Sequence, residues 1–109
     1  MVKLRDRMKF AIMGYFDECE ISIFETTRAT RHEILGRCVD AVSYLDEAIM
    51  FFKRSRERKT NILCLVYCYC ITARTLLSGV IECNTDIKTA LTEANALCER
   101  ALSILCELD

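Results

Sequence analysis

The residues Leu63, Val66, Cys70, Ala73, Leu77 and Val80 follow one another at alternating steps of three and four. That spacing keeps one face of an α-helix turned toward a partner, and a strand cannot reproduce it, because strand side chains alternate with a period of two. The same alternation gives Leu35, Cys38, Val42, Leu45, Ile49 and Phe52 in the preceding segment. In the following one it gives Ile87, Ala90, Ala94, Leu97, Ala101, Ile104 and Leu108. A less regular set, Leu4, Met8, Ala11, Ile12, Tyr15, Cys19 and Ile23, marks one side of the first segment. The chain has no proline and only three glycines, too few turn residues for a fold of strands and hairpins. The expected fold class is all-α.

The ends of these segments have physical causes. Thr30 followed by Glu33 forms a capping box opening the second helix. Thr60 or Asn61 suits the start of the third, and Asn84, Thr85 or Asp86 the start of the fourth, since each offers an oxygen to an amide the helix leaves unsatisfied. Helices are therefore predicted over about 2–25, 31–54, 61–82 and 86–108. Short connections favour antiparallel neighbours, so the predicted architecture is an antiparallel (up-down) four-helix bundle, one domain over residues 1–109. Gly14, Gly36 and Gly79 fall inside helices, where glycine costs stability; close approach of a neighbouring helix would account for them.

The third helix poses the main question. From Ile62 to Ile81 it carries a single charge, Arg74, and its length meets the rule for a membrane span. An arginine near the middle of a span costs ~2.5–3.5 kcal/mol, and Thr72, Thr75 and Ser78 dilute the apolar drive. The second and fourth helices also have stripes that need a partner, which a soluble bundle supplies. No membrane span is expected. Cys64 and Cys68 stand one turn apart, a spacing that serves zinc, yet no CxxC pair occurs and Cys68 and Cys70 point to nearly opposite sides. The lone histidine, His32, lies at the pole opposite that pair, where the geometry permits only Cys83 or Cys19 to come near it, and it is read as a surface residue at a helix start. No metal, cofactor or catalytic residue is assigned.

What remains is packing on both sides. Opposite the inward stripe stand Cys64, Cys68, Ile71 and Thr75, where the fourth helix instead carries Lys88, Thr92, Glu93, Glu99, Arg100 and Glu107. A helix apolar all round expects burial all round. The first helix repeats the pattern more mildly, with Phe10, Met13, Ile21 and Phe24 opposite its stripe. Four helices cannot bury both sides of two of them. Cys64, Cys68, Ile71 and Thr75 are therefore read as an assembly interface, most simply of a homodimer about a two-fold axis.

Charge is sorted between the poles. An antiparallel bundle gathers Lys3, Arg5, Arg7, Lys9, Lys53, Arg54, Arg56, Arg58 and Lys59 at one end, nine of fifteen basic residues. With Asp6, Glu57, Glu107 and Asp109 beside them that pole is about +5, and the remainder about −6. Lys53, Arg54, Arg56, Arg58, Lys59, Lys3 and Arg5 are the candidate contacts for an acidic protein or a nucleic-acid backbone. Nothing in the sequence reads bases. Tyr44 and Phe51, seven positions apart on the second helix among Arg37, Asp40, Glu47 and Arg54, are candidate partner anchors.

Eight cysteines could signal a secreted disulfide scaffold, but such scaffolds are loop-rich and this chain is not. The start "MVKLRDRMKFAIMGYF" has neither an unbroken apolar run nor a cleavage site, so reduced thiols in a cytoplasmic protein are expected. The segment "TALTEANALCERALSILCEL" resembles the second helix of tetratricopeptide or microtubule-interacting-and-trafficking modules in its spacing of small residues. It covers one helix of four, and the repeat of roughly 34 residues that a tetratricopeptide array needs is absent, so membership of neither family is assigned. No phosphate loop, GxSxG elbow or HExxH motif occurs. The expected function is that of a non-enzymatic, oligomeric interaction or regulatory module; the alternative is a nucleic-acid accessory protein using the basic pole.

Overall fold

A computed structural model describes residues 2–19, 31–82 and 86–108. Four helices account for nearly all of them: α1 (Leu4–Glu18), α2 (Arg31–Arg54), α3 (Asn61–Ile81) and α4 (Ile87–Glu107). The all-α four-helix bundle read from the sequence is borne out. The predicted extension of the first helix to about residue 25, the Thr30 capping box and the caps Asn84 and Thr85 lie outside the described residues.

The caps explain where two helices begin. Thr60 accepts a hydrogen bond from the Leu63 amide at 3.2 Å, which leaves Asn61 as the first helical residue. Asp86 accepts from the Thr89 amide at 3.1 Å and from its hydroxyl at 2.9 Å. These bonds hold the Asp86 carboxyl below its ordinary value, the backbone bond most. α1 has no such local cap: the side chain of Lys3 makes none.

Sequence neighbours pack together, α1 on α2, α2 on α3 and α3 on α4, and a slimmer seam between α1 and α4 closes the ring. Contacts within the seams run in opposite directions along the partners. Gly14 of α1 faces Tyr44 of α2, while Arg7 faces Phe51. Asp46 of α2 pairs with Arg74 of α3, while Phe52 stacks on Tyr67 at 4.3 Å between ring centres. Gly14 is where close approach matters: a Cβ there would lie 2.5 Å from the Tyr44 ring. At Gly36 nothing lies within 4 Å, so close packing does not account for that glycine.

The inward stripe of α3 is the one predicted: Leu63, Val66, Cys70, Ala73, Leu77 and Val80 are buried. In α1, Leu4, Met8, Ala11, Ile12, Tyr15 and Cys19 are buried as expected. In α2, Cys38, Leu45, Ile49 and Phe52 are joined by Ala41 and Ala48, while Leu35 and Val42 are only half-buried. The α4 stripe needs correction. Ala90, Ala94 and Ala101 are buried as expected, but with Leu91, Asn95, Cys98 and Leu105, while Ile87, Leu97, Ile104 and Leu108 are only half-buried against the core. The helix is turned by roughly 50° from the predicted face. The contact that goes with this rotation is in the α1–α4 seam, where Tyr15 donates to Asn95 Oδ1 at 2.8 Å.

Candidate functional site

Three regions carry chemistry: the basic pole with the groove beside it, the outward face of α3, and a set of thiols in the core. At the pole, Lys3, Lys53, Arg54, Arg56, Arg58 and Lys59 are exposed and Arg5 is half-buried. The α2–α3 connection holds most of this charge, and one of its residues works for the fold. Glu57 accepts from the Leu4 amide at 3.2 and 3.3 Å through its two carboxylate oxygens, capping α1 from 53 positions away. A carboxylate at a helix N-terminus is favoured by the helix dipole. Arg5 reaches the opposite end of the chain, donating to the Leu108 carbonyl. Lys59 lies over the Phe52 ring at 4.8 Å, beneath which Tyr67 is stacked, so this cation is partly engaged by the fold.

Between α1 and α2 runs a groove made of two hollows of about 360 and 300 Å³. Val2, Arg7 and Phe51 line both, so the hollows adjoin. The one nearer the connection adds Arg54, Ser55, Arg56 and Glu57; the other adds Phe10, Tyr44 and Glu47. Tyr44 and Phe51 sit differently from free anchors. Both are half-buried, Tyr44 across Gly14 and Phe51 beneath Arg7 at 5.5 Å. They are the walls of the groove. Phe10, 62% exposed, is the most open of the large apolar side chains among the described residues and stands on the same groove. The sequence reading set Phe10 aside as part of the back of α1; its pairing with Tyr44 required the three-dimensional register of α1 on α2.

The outward face of α3 carries Cys68, Ile71 and Thr75 in the open and Cys64 half-buried, as a face opposite the inward stripe must. Ile62 and Leu65, 46% and 44% exposed, extend it toward the basic pole. Leu65 stands one turn from Cys68, so the signal that places it on this face is the same helical spacing. Two threonines on this side hide their polarity: Thr72 donates to the Cys68 carbonyl and Thr75 to the Ile71 carbonyl, each at 2.9 Å. Their methyl groups are left to the outside. Arg74, the only charge in the helix, is tied sideways to Asp46 of α2. By length and composition α3 also meets the requirement for a membrane span.

The core thiols are Cys19, Cys38, Cys70 and Cys98, all buried and none in a disulfide. Cys19 and Cys38 share a hydrogen bond that raises the first and lowers the second, with burial pushing both upward. Burial pushes Cys70 up to about 12 and raises Cys98 and the neighbouring Tyr15 phenol further. A thiol held neutral is a poor nucleophile. Among the described residues no group of three or more His, Cys, Asp or Glu side chains is placed to hold a metal ion. Comparison with protein-family models, curated proteins and solved structures finds no match for this chain.

Proposed function

We propose that the protein is a non-catalytic contact module of the cytoplasm, which self-associates through the outward face of α3 and offers its basic pole to an acidic partner. The observation that carries this reading is the α3 face. From Ile62 to Ala73 the helix has no charge, and the hydroxyls of Thr72 and Thr75 are turned back onto their own backbone. A face so stripped of water-binding groups suits a second protein surface. Compact side chains at Cys64, Cys68 and Thr75 would let two copies of α3 approach closely about a two-fold axis. The inward packing of the same helix on α2 and α4, with Arg74 paired to Asp46, favours a protein partner over lipid.

Light scattering tests it. The unmodified chain is expected to run at twice its 12.6 kDa mass, and Cys68→Glu with Ile71→Glu to run as a folded monomer. A monomeric wild type, or an assembly indifferent to both glutamates, removes the proposal. A second reading, contact with a nucleic-acid backbone, is favoured by the exposure of Lys53, Arg54, Arg56, Arg58 and Lys59 within seven consecutive positions. Retention on heparin that falls steeply with salt and is lost on charge reversal at Arg54, Arg56 and Arg58 is expected if the pole binds polyanions of any kind.

A further inference from the structure

The groove between α1 and α2 has a composition that neither a solvated surface nor a phosphate site requires. Its two hollows meet at Arg7 and Phe51, and their far ends differ in character. One end is set by Arg54 and Arg56 beside Ser55. The other is walled by Phe10 and Tyr44, with Glu47 at its edge. Val2 and Phe10 are 49% and 62% exposed there, apolar area whose removal from water favours a bound partner. Glu57, the acid at the basic end, is already committed to the Leu4 amide, so its carboxylate is held against α1.

We propose that this groove receives an amphipathic helical segment of a partner protein, with large apolar side chains on one face and carboxylates at the end beside Arg54 and Arg56. The inference rests on the reading of the basic pole as the site of an acidic partner, and it names what that partner looks like. The spacing of its apolar residues follows from the receptor. Tyr44 and Phe51 are seven positions apart along α2, two turns of helix or about 10 Å, so anchors two turns apart on the incoming helix match the length of that aromatic wall. Its charge follows from the two ends of the groove. Carboxylates meet Arg54 and Arg56, and Glu47 excludes acids from the Phe10 end.

Nucleic acid fits the same groove badly. A base that stacks beside the arginines needs an open aromatic face there, and the face of Phe51 is taken by Arg7 at 5.5 Å, while the open ring of Phe10 lies in the hollow that holds Glu47. A phosphate backbone running along the groove would pass the apolar wall of Val2 and Phe10 and then meet Glu47. The arginines alone could hold it, but the remainder of the groove would then contribute nothing.

The test uses the full chain and a fluorescent synthetic helix carrying two phenylalanines seven positions apart and glutamates at one end, followed by anisotropy. Two control helices replace the phenylalanines by serine or the glutamates by lysine, and heparin is run in parallel. The parent helix is expected to bind, and both controls to bind at least about tenfold more weakly, since each loses one half of the recognition. Phe10→Glu, at an exposed position whose change leaves helix content intact, should weaken the parent helix by about tenfold or more while leaving heparin retention unchanged. Arg54→Glu with Arg56→Glu should weaken both. If the serine control binds as well as the parent, or Phe10→Glu has no effect, the groove plays no part and the inference fails, while an acidic-partner pole survives. If neither helix nor heparin is retained, both readings fall together. Heparin retention without binding of the parent helix overturns the inference and leaves the pole a site for polyanions in general.

Discussion

α3 and α4 are both 21 residues long, both capped by a side chain at their first turn, and both buried along one stripe. Their backs differ. α4 turns Lys88, Glu93, Glu99, Arg100 and Glu107 to the outside, whereas α3 turns Ile62, Leu65, Cys68 and Ile71. One helix is complete once it has packed into the bundle. The other has packed its inward stripe and keeps an apolar face exposed. The difference shows that the fold and the proposed function draw on separate sides of the same helix, so substitutions can address them separately.

The largest effect expected is on the inward side. Val66→Glu or Ala73→Glu in α3 buries a carboxylate without a partner and costs several kcal/mol, a large part of the ~5–15 kcal/mol that holds a domain of this kind. Ala94→Glu in α4 should do the same. Urea denaturation should find all three unfolded or nearly so. Outward glutamates at Cys68 and Ile71 should leave the midpoint within reach of the wild type. If inward and outward glutamates were equally damaging, the two faces of α3 would not be separable.

Next comes the polar group that α4 buries and α3 does not. Tyr15→Phe removes the donor to Asn95 and leaves a buried amide oxygen without it, a loss of roughly 1–3 kcal/mol. A stability change near zero in the same denaturation assay would mean the amide finds another partner.

The buried thiols add a pH dependence. Cys70 of α3 is pushed from about 9 up to about 12 by burial, so the native state keeps a proton that the unfolded chain releases. A raised value of this sign gives stability that is whole below about pH 9 and declines as pH climbs toward 12. The denaturation midpoint should therefore fall over that window, and fall less in Cys70→Ala. An equal slope in wild type and variant would assign the loss to other groups.

The smallest effect separates the two caps. Thr60→Ala should cost α3 about 1 kcal/mol at any pH between 3 and 8, because a hydroxyl does not titrate there. The Asp86 cap of α4 is different in kind. Its lowered carboxyl stabilises the fold above the ordinary carboxylate value and loses that contribution as the pH falls through its own. The gap in stability between wild type and Asp86→Asn should close in acid, while the gap for Thr60→Ala should persist.

Much of this was legible in the residues, for definite reasons. The α3 stripe and its outward face come from a strict alternation of three and four, and a helix with two neighbours on the same side hides little from a helical wheel. α4 was misjudged because alanines at 90, 94 and 101 fit more than one rotation, and the Tyr15 hydroxyl that selects among them belongs to a helix 80 positions away. The cations of the pole were visible as a charge run, but the groove beside them was not. It depends on Gly14 admitting the Tyr44 ring and on Arg7 covering Phe51, both of them questions of how α1 is set against α2.

The α1–α4 seam, finally, makes a demand on the chain that the other three do not. They join helices that follow one another, whereas this one brings together residues 80 and 103 positions apart, Tyr15 with Asn95 and Arg5 with Leu108. The entropy lost in closing a loop grows with its length, so the slimmest seam is also the one whose closure restricts the chain most. Assembly should then run from the sequential pairs outward, with this seam zipped last and released first. Native-state hydrogen exchange would register that order as weaker protection of the α1 amides than of those in α3. The first opened state would bring Tyr15 and Cys98 into water together while the sequential pairs were still formed.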